Sequence, residues 1–232
     1  MATTLMAIAA HPGDAVFTMG AAVAQHIHGG GTGVFVSLTA GEKGAPANTP
    51  VERYGELQRA ASEKAAKLLG AEFQILGYPD AEVPLNDQAA RALSDVIRQH
   101  KADIVVTHWS GSWHKDHQNC HLLVRDAIFY AGLSTMVRKD PAHAVRKLFF
   151  ADNWEDAENF KPDTYLDITA VSDKWMQACD AYPMWRGQTG FFRYNDYYSS
   201  LAVMRGCLSG FRQAVALMSG PAERPNGVRT LG

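Results

Sequence analysis

Two groups of histidine and aspartate residues stand out in this sequence, because both residue types are common metal ligands. His11 and Asp14 are three positions apart and follow the short apolar run 4–10. The second group lies in the segment THWSGSWHKDHQNCH, where four of the nine histidines fall within fourteen residues. Two histidines and one carboxylate, with a position open for water, are the preferred ligands of catalytic zinc and also resemble those of non-haem iron. The side chains of the second group are His108, His114, Asp116, His117 and His121.

The residues after the first apolar run also fit a purely structural role. Pro12, Gly13 and Asp14 favour a turn, and aspartate is a good residue at a helix N-cap. A metal site instead requires a third ligand from elsewhere in the chain. The histidine cluster supplies candidates for that ligand, provided that both segments lie at the same edge of the folded protein.

Short apolar runs alternate with longer helical patterns, and this alternation predicts the fold. The runs at 4–10, 33–38, 72–78 and 103–108 are continuously apolar, as in strands that are covered on both faces. The sequence therefore predicts an α/β protein with a Rossmann-like, doubly wound, mostly parallel sheet and helices on both faces. The expected helices are 15–28, 51–69, 87–100, 171–185 and 197–218, with further strands at 145–151 and 164–169 and an extended tail at 219–232.

Polar segments follow each of the first four predicted strands. In chain order these segments are HPGD, TAGEKG, GYPDAE and HWSGSWHKDH. In doubly wound sheets, ligands bind outside the carboxyl ends of the strands. We therefore expect a functional site at the one edge of the sheet where these segments meet.

The composition is that of an ordinary globular protein and excludes several functions. The chain has 232 residues, of which 47% are hydrophobic and 20% charged, and its net charge is −2. These values predict a single domain over 1–232, without a basic surface for nucleic acid or a span for a membrane. Three cysteines without a C-x-x-C pair argue against a disulfide framework or a thiolate zinc site, and no basic segment marks a secretory signal. We expect a cytoplasmic homo-oligomer that acts on a small molecule.

Nucleotide-binding and nucleophile motifs are missing from the sequence. There is no G-x-x-x-x-G-K-[ST] loop and no G-x-S-x-G elbow. The GGGTG segment at 29–33 lies between a helix and a strand, which is the reverse of the order in dinucleotide-binding turns, so it is better explained as a helix stop. Serine nucleophile chemistry is therefore not expected.

The motifs AAHPGD, LTAGEKG and HKDH, at the ends of the first, second and fourth strands, resemble those of the PIG-L/LmbE family of zinc-dependent de-N-acetylases. YLDIT and MRG extend the resemblance over nearly the whole chain, about residues 4–218. The resemblance implies a hydrolase that removes an N-acetyl group from a sugar-like amine. It implies Zn²⁺ as the cofactor, with Fe²⁺ or another divalent metal as alternatives. The implied metal ligands are His11, Asp14 and His117.

The resemblance also implies roles for residues that do not bind the metal. His114 is expected to stabilise or protonate the tetrahedral intermediate, and Asp116 is expected to orient His114. Acidic and guanidinium groups at the rim of the cleft suit a substrate that is rich in hydroxyl groups. The residues expected to contact those hydroxyl groups are Glu42, Arg53 and Asp80.

One position departs from the family pattern. The family motif usually reads A-H-P-D-D with its first aspartate as general base, whereas this chain has Gly13 there. Loss of a positioned base costs about 10²–10⁴-fold in rate. Either Asp116, His114 or Glu42 takes that role, or the reaction is not amide hydrolysis. A branch of the same fold hydrates an unsaturated dicarboxylate and also lacks this aspartate, so a metal-dependent hydratase is the alternative function.

Aromatic residues beside these motifs allow more than one interpretation. Trp109 and Trp113 either line a substrate cleft or pack within a loop. The aromatic run 191–198 fits an oligomer contact, a lid over the site or core packing. His121, one turn after His117, is a less favoured candidate for a further ligand.

Overall fold

A seven-stranded sheet forms the centre of the protein, in a computed structural model that describes residues 2–188 and 190–220. Its strands are β1 (Thr4–Ala9), β2 (Thr32–Thr39), β3 (Glu72–Tyr78), β4 (Ala102–Thr107), β5 (Lys147–Ala151), β6 (Thr164–Asp167) and β7 (Ala214–Ser219). Their order in the sheet is β3-β2-β1-β4-β5-β7-β6, and β1 to β5 pair in parallel. β7 is antiparallel to both β5 and β6. The predicted mostly parallel, doubly wound α/β sheet is confirmed.

Helices cover both faces of this sheet. They are α1 (Pro12–Phe17), α2 (Gly20–His28), α3 (Val51–Leu69), α4 (Asp87–His100), α5 (Lys115–Gly132), α6 (Ser172–Cys179) and α7 (Tyr194–Ser209). One hydrophobic cluster joins β1 to α1, α2, α3, α6 and α7, and the other joins it to α4 and α5. Alternate residues of β1 enter the two clusters, which is the pattern of a strand that is buried on both faces. They are Leu5, Ala7 and Ala9 in the first cluster and Met6 and Ile8 in the second, which Ala10 joins directly after the strand.

The helix predicted over 15–28 is two helices in the structure, because a side chain replaces the hydrogen bond that would continue it. In an unbroken helix, the carbonyl oxygen of Val16 would accept the N–H of Gly20. It instead accepts the indole N–H of Trp175 at 2.8 Å. The chain therefore breaks at Thr18 without leaving this carbonyl group unpaired.

The helix predicted over 197–218 is wrong in its second half, where the chain forms β7. α7 ends at Ser209 and is followed by Gly210, whose left-handed φ of 79° is common where a helix stops. The following apolar run is as short as a strand, and periodicity alone does not separate the two cases. The helix predicted over 171–185 likewise ends at Cys179, and a 3-10 turn begins at Pro183.

Two further statements concern the described residues only. None of the helices among them is long and apolar enough to cross a bilayer. Ser219 ends β7, and residues 221–232 of the predicted extended tail lie outside the described residues.

A buried arginine of α4 holds the carboxyl end of α5. Arg98 is 2% exposed, and its guanidinium group faces backbone carbonyl groups rather than a carboxylate. This contact matters for the site because α5 begins with the predicted histidine cluster. The carbonyl oxygens that accept from Arg98 belong to Tyr130, Ala131, Leu133, Met136 and Asp140.

We expect Arg98→Lys to lower the free energy of unfolding by about 2–4 kcal/mol, because one ammonium group cannot replace a planar fork of five N–H donors. Arg91→Lys is the matched control on the same helix, since Arg91 is exposed and pairs with Asp87. The control should change the unfolding free energy by less than about 0.5 kcal/mol. Urea unfolding measures both, and equal effects would contradict the anchoring role of Arg98.

Candidate active site

The candidate site lies where β1 and β4 end. His11 is the N-cap of α1 with an extended backbone (φ −124°, ψ 155°), and Asp14 is in the first turn of that helix. His114 is the N-cap of α5, and His117 follows in its first turns. β1 and β4 pair in parallel, so both helix starts lie at the same edge of the sheet.

Three side-chain atoms from these two helices converge. Asp14 Oδ2 lies 3.0 Å from His11 Nδ1 and 3.2 Å from His117 Nε2, and these two nitrogens are 3.3 Å apart. Two ligands of a tetrahedral zinc ion, each at about 2.0–2.1 Å from the metal, are themselves about 3.3 Å apart. The spacing and the chemistry of the three donors therefore fit a divalent metal ion with one position left open.

His108 belongs to the same cluster but is held by other contacts. His108 lies close to Asp14 and His117, but neither of its nitrogens is free. Its Nδ1 lies 2.8 Å from Asp156 Oδ2, and its Nε2 accepts the backbone N–H of Ala10 at 3.1 Å.

His121, the less favoured candidate, lies outside the convergence of ligand atoms. Its Nδ1 is 3.0 Å from the carbonyl oxygen of His108, and its ring packs against Trp109 and Phe150. Trp109 donates its indole N–H to the carbonyl oxygen of Glu158 at 2.8 Å. Both side chains therefore pack behind the site rather than within it.

The segment after β5 contributes two acidic residues that sequence analysis missed. Asp156 is fully buried, and its Oδ1 lies 2.7 Å from His117 Nδ1. Glu155 Oε2 lies 3.6 Å from His117 Nε2. β5 belongs to the same parallel array as the first four strands, so the strand-end rule, applied to it as well, would have found this segment.

The second nitrogen of His11 faces two carboxylates. His11 Nε2 lies 3.1 Å from Asp80 Oδ1 and 3.5 Å from Asp116 Oδ2. Asp116, which is expected to orient His114, contacts that ring through its backbone N–H and not through its carboxylate. The other oxygen of Asp116 accepts the N–H of Val83 at 3.2 Å, which turns the carboxylate towards His11. His114 Nδ1 instead accepts the backbone N–H of Asp116, as a helix-capping side chain does.

Carboxylates control the charge of the candidate ligands. Burial alone would lower the pKa of His11, but hydrogen bonding to Asp116 and Asp14 raises it well above its usual value. Burial likewise opposes charging of His117, yet the negative charge of Asp14 raises its pKa to about 9. A metal ion that binds these nitrogens must displace both protons.

His114 differs from these two histidines because it remains neutral. Burial, followed by the positive charge of His117, lowers the pKa of His114 to about 4. Its Nδ1 accepts an N–H, so the ring proton is on Nε2. The ring centre lies 4.8 Å from that of His11 and 4.6 Å from that of His117. His114 can therefore donate a hydrogen bond to a substrate oxygen beside the ligand atoms.

Apolar atoms occupy the space next to Gly13. A Cβ at this position would lie 3.2 Å from Phe17 Cε2 and 3.6 Å from Met184 Sδ. Glu155 approaches the ligand atoms from a different loop. Burial and the negative charge of Asp14 raise the pKa of Glu155 to about 7, so this carboxyl group can exchange a proton near neutral pH.

Glu42 and Asp80 tie two loops together. Glu42 Oε1 accepts the N–H of Asp80 at 2.8 Å, and Asp80 Oδ2 accepts the N–H of Lys43 at 2.8 Å. These reciprocal bonds join the segments that follow β2 and β3. Asp80 lines the cavity, whereas Glu42 supports Asp80 from behind.

Arg53 is not among the described residues that line the cavity, and its contact with substrate stays a prediction. Arg53 lies on the exposed side of α3 and donates to Glu56 at 2.8 Å. α3 presents Tyr54 and Gln58 to the cavity instead. Adjacent residues of a helix point about 100° apart, so a substrate role cannot be carried over to a helical position without knowing the phase of the helix.

The ligand atoms open into a cavity of about 780 Å³. Trp113 and Phe191 at its mouth are 67% and 91% exposed. Lys43 is the one lysine or arginine among the described residues that line it, and Lys43 Nζ lies 2.7 Å from Glu82 Oε1. The lining therefore combines carboxylates with aromatic rings. The aromatic residues are Phe17, Tyr54, Trp113, Trp154, Phe191, Phe192 and Tyr194.

Comparison with known proteins defines the family. Residues 6–128 match the family described as PIG-L, GlcNAc-PI de-N-acetylase, so the chain belongs to the PIG-L family. The relatives of the chain include both a deacetylase and a hydratase. The predicted family is confirmed, and the particular reaction is not fixed by membership.

The relatives divide between these two reactions. The chain is 27% identical over 216 residues to 4-oxalmesaconate hydratase of Pseudomonas putida KT2440, covering 87% of this chain and 79% of that protein. It is 24% identical over 222 residues to diacetylchitobiose deacetylase of Thermococcus kodakarensis, covering 90% of this chain and 80% of that protein. The structure of GalB, the 4-carboxy-2-hydroxymuconate hydratase of Pseudomonas putida KT2440, superimposes on this one with a TM-score of 0.86 and 22% sequence identity. The match covers 99% of this chain and 100% of GalB. This last similarity establishes the fold.

We expect His117→Ala to leave the purified protein with substoichiometric metal by elemental analysis. The variant removes one of the three candidate ligands. Metal affinity should therefore fall by more than the roughly 100-fold that is lost when a residue hydrogen-bonded to a ligand is replaced. His121→Ala is the control, because His121 lies one turn further along α5 and faces a backbone carbonyl group. Full metal occupancy in His117→Ala would contradict the ligand assignment.

Proposed function

We propose that the protein is a metal-dependent hydrolase that removes an N-acyl group, in the simplest case acetyl, from a sugar-like amine. The observation that carries the proposal is the convergence of His11 Nδ1, Asp14 Oδ2 and His117 Nε2 at the floor of the cavity. Zn²⁺ is the proposed metal, and Fe²⁺ would fit the same donors. A divalent ion held there would polarise a carbonyl group and acidify water.

The protein residues around the ligand atoms supply the proton transfers. In amide hydrolysis, the oxygen of water adds to the carbonyl carbon, the C–N bond breaks and the amine leaves with a proton. Glu155 lies 3.6 Å from His117 Nε2, on the cavity wall, and is the proposed acceptor of the water proton and its donor to the amine. His114 Nε2–H is the proposed donor to the carbonyl oxygen as negative charge develops there.

The cavity wall supports a neutral, hydroxyl-rich substrate. Exposed rings at the mouth can cover the apolar face of a sugar, and Asp80 can accept its hydroxyl groups. A dicarboxylate would face the carboxylates of Asp80 and Glu155 with Lys43 as the one described counter-charge outside the ligand set. The deacetylase relative acts on diacetylchitobiose according to its name, which agrees with a sugar substrate.

Hydration of an unsaturated dicarboxylate is the second candidate, because Gly13 supplies no carboxylate at the position of the family base. The relative named 4-oxalmesaconate hydratase supports this alternative. Cytoplasmic location, homo-oligomeric assembly and the single domain over 1–232 stay predictions.

Glu155→Gln should lower the turnover number for N-acetylglucosamine-type substrates by about 10²–10⁴-fold, with metal content unchanged. Acetate release from a panel of such compounds measures it. Glu158→Gln, an exposed neighbour, is the control and should retain full activity. Equal activity of the two variants would exclude Glu155 as the proton carrier.

Gly13→Asp, compared with Gly13→Ala, separates the two candidate reactions. Both variants press a Cβ against Phe17, but only aspartate restores the carboxylate of the family motif. If the protein is a deacetylase, Gly13→Asp should release acetate at least tenfold faster than Gly13→Ala. This ratio corresponds to an activation free energy that is lower by about 1.4 kcal/mol. No gain, together with hydration of an unsaturated dicarboxylate by the unchanged protein, would favour the hydratase.

A further inference from the structure

A buried network connects the end of β1 to the metal-facing nitrogen of His117. Asp156 Oδ1 lies 2.7 Å from His117 Nδ1, and Asp156 Oδ2 lies 2.8 Å from His108 Nδ1. His108 Nε2 accepts the backbone N–H of Ala10 at 3.1 Å. The side chains of His108, Asp156 and His117 are 0% exposed. We call these three residues the 108–156–117 network.

The backbone determines where the protons of this network lie. The N–H of Ala10 can only donate, so His108 Nε2 must be a lone pair and the proton of His108 must be on Nδ1. With a lone pair on Nε2 and the proton on Nδ1, the ring of His108 is neutral. The Asp156 carboxylate can only accept, so it receives Nδ1–H from both histidines. His117 is left with Nε2 facing Asp14 and His11.

We infer that Asp156, anchored through His108 to the end of β1, is a positioning residue that selects Nε2 of His117 as the metal ligand. This inference rests on the proposed metal-ligand role of His117. The two histidine rings are stacked with their centres 3.9 Å apart and their planes 23° apart. Rotation of His117 would therefore break both the stacking and the hydrogen bond to Asp156. The network fixes the tautomer and the direction of the ring together.

Asp156→Asn tests this logic because an amide offers one acceptor and one donor. If the amide NH₂ faces His117 Nδ1, the proton of His117 moves to Nε2 and blocks ligation. If the NH₂ faces His108 Nδ1, the proton of His108 moves to Nε2 and opposes the N–H of Ala10. Neither orientation satisfies both histidines. We expect Zn²⁺ affinity to fall about 10–100-fold, measured by competition with a chromophoric chelator.

His108→Phe relieves this conflict and supplies the decisive comparison. The ring of phenylalanine can keep the stacking but forms no hydrogen bond with residue 156. The side-chain carbonyl group of the asparagine is then free to accept from His117. His108→Phe alone is the reference for the double variant: its Asp156 carboxylate still accepts from His117, but the carboxylate loses its anchor and the N–H of Ala10 loses its acceptor. The double variant should bind Zn²⁺ more tightly than Asp156→Asn does. A purely structural role for Asp156 predicts instead that the losses of Zn²⁺ affinity in the two single variants add in the double variant. A double variant that binds Zn²⁺ more weakly than Asp156→Asn does would overturn the inference.

Nuclear magnetic resonance of the unchanged protein tests the same inference without relying on the variants. Long-range ¹H–¹⁵N correlation spectra should show His108 as the neutral Nδ1–H tautomer in the metal-free protein. They should show His117 with a proton on Nδ1 and not on Nε2 when Zn²⁺ is bound. A proton on Nε2 of His108 would overturn the inference even if the protein binds metal. Failure of the hydrolase proposal would leave these spectra unchanged, so the two outcomes are distinguishable.

Discussion

The position of the candidate site depends on the burial of β1 between two parallel neighbours. β1 pairs with β2 on one side and with β4 on the other, and the two hydrophobic clusters cover its faces. Such a strand cannot slip by one residue, because every side chain would move to the opposite face. Its last hydrogen-bonding groups therefore have a fixed place. Ala10 and His11 are the first residues beyond β1, and they anchor His108 and the candidate metal ligands respectively.

The charge balance at this edge favours a bound cation. Five acidic side chains surround the imidazole rings of His11, His108 and His117, and lysine and arginine are almost absent from the described lining of the adjoining cavity. In the metal-free protein, the raised pKa values of His11 and His117 keep both rings protonated, and these rings supply the positive charge. A divalent ion would replace those protons and pair with the same carboxylates. The acidic side chains are Asp14, Asp80, Asp116, Glu155 and Asp156.

The sequence predicts the parts of this arrangement that follow from strand periodicity and strand ends. It misses what depends on contacts between distant segments. The break between α1 and α2 depends on Trp175, which lies about 160 residues further along the chain. The orientation of Arg53 depends on the phase of α3 against the sheet. Asp156 was overlooked because its segment carries no histidine, although it follows a strand at the same edge.

Deacetylation and hydration share most of the chemistry that this site can perform. Both add water to a polarised carbon and differ in where the proton goes, to the departing nitrogen in one case and to a neighbouring carbon in the other. The candidate metal ligands and the 108–156–117 network serve either reaction equally well. The difference must therefore lie in the groups that face the substrate. Here the exposed rings of Trp113 and Phe191 and the shortage of cations weigh against a dianion, whereas Gly13 removes the base that most deacetylases of the family use. Because Glu155 Oε2 lies 3.6 Å from His117 Nε2, the proposed amide hydrolysis has another carboxyl group that could accept the proton of water.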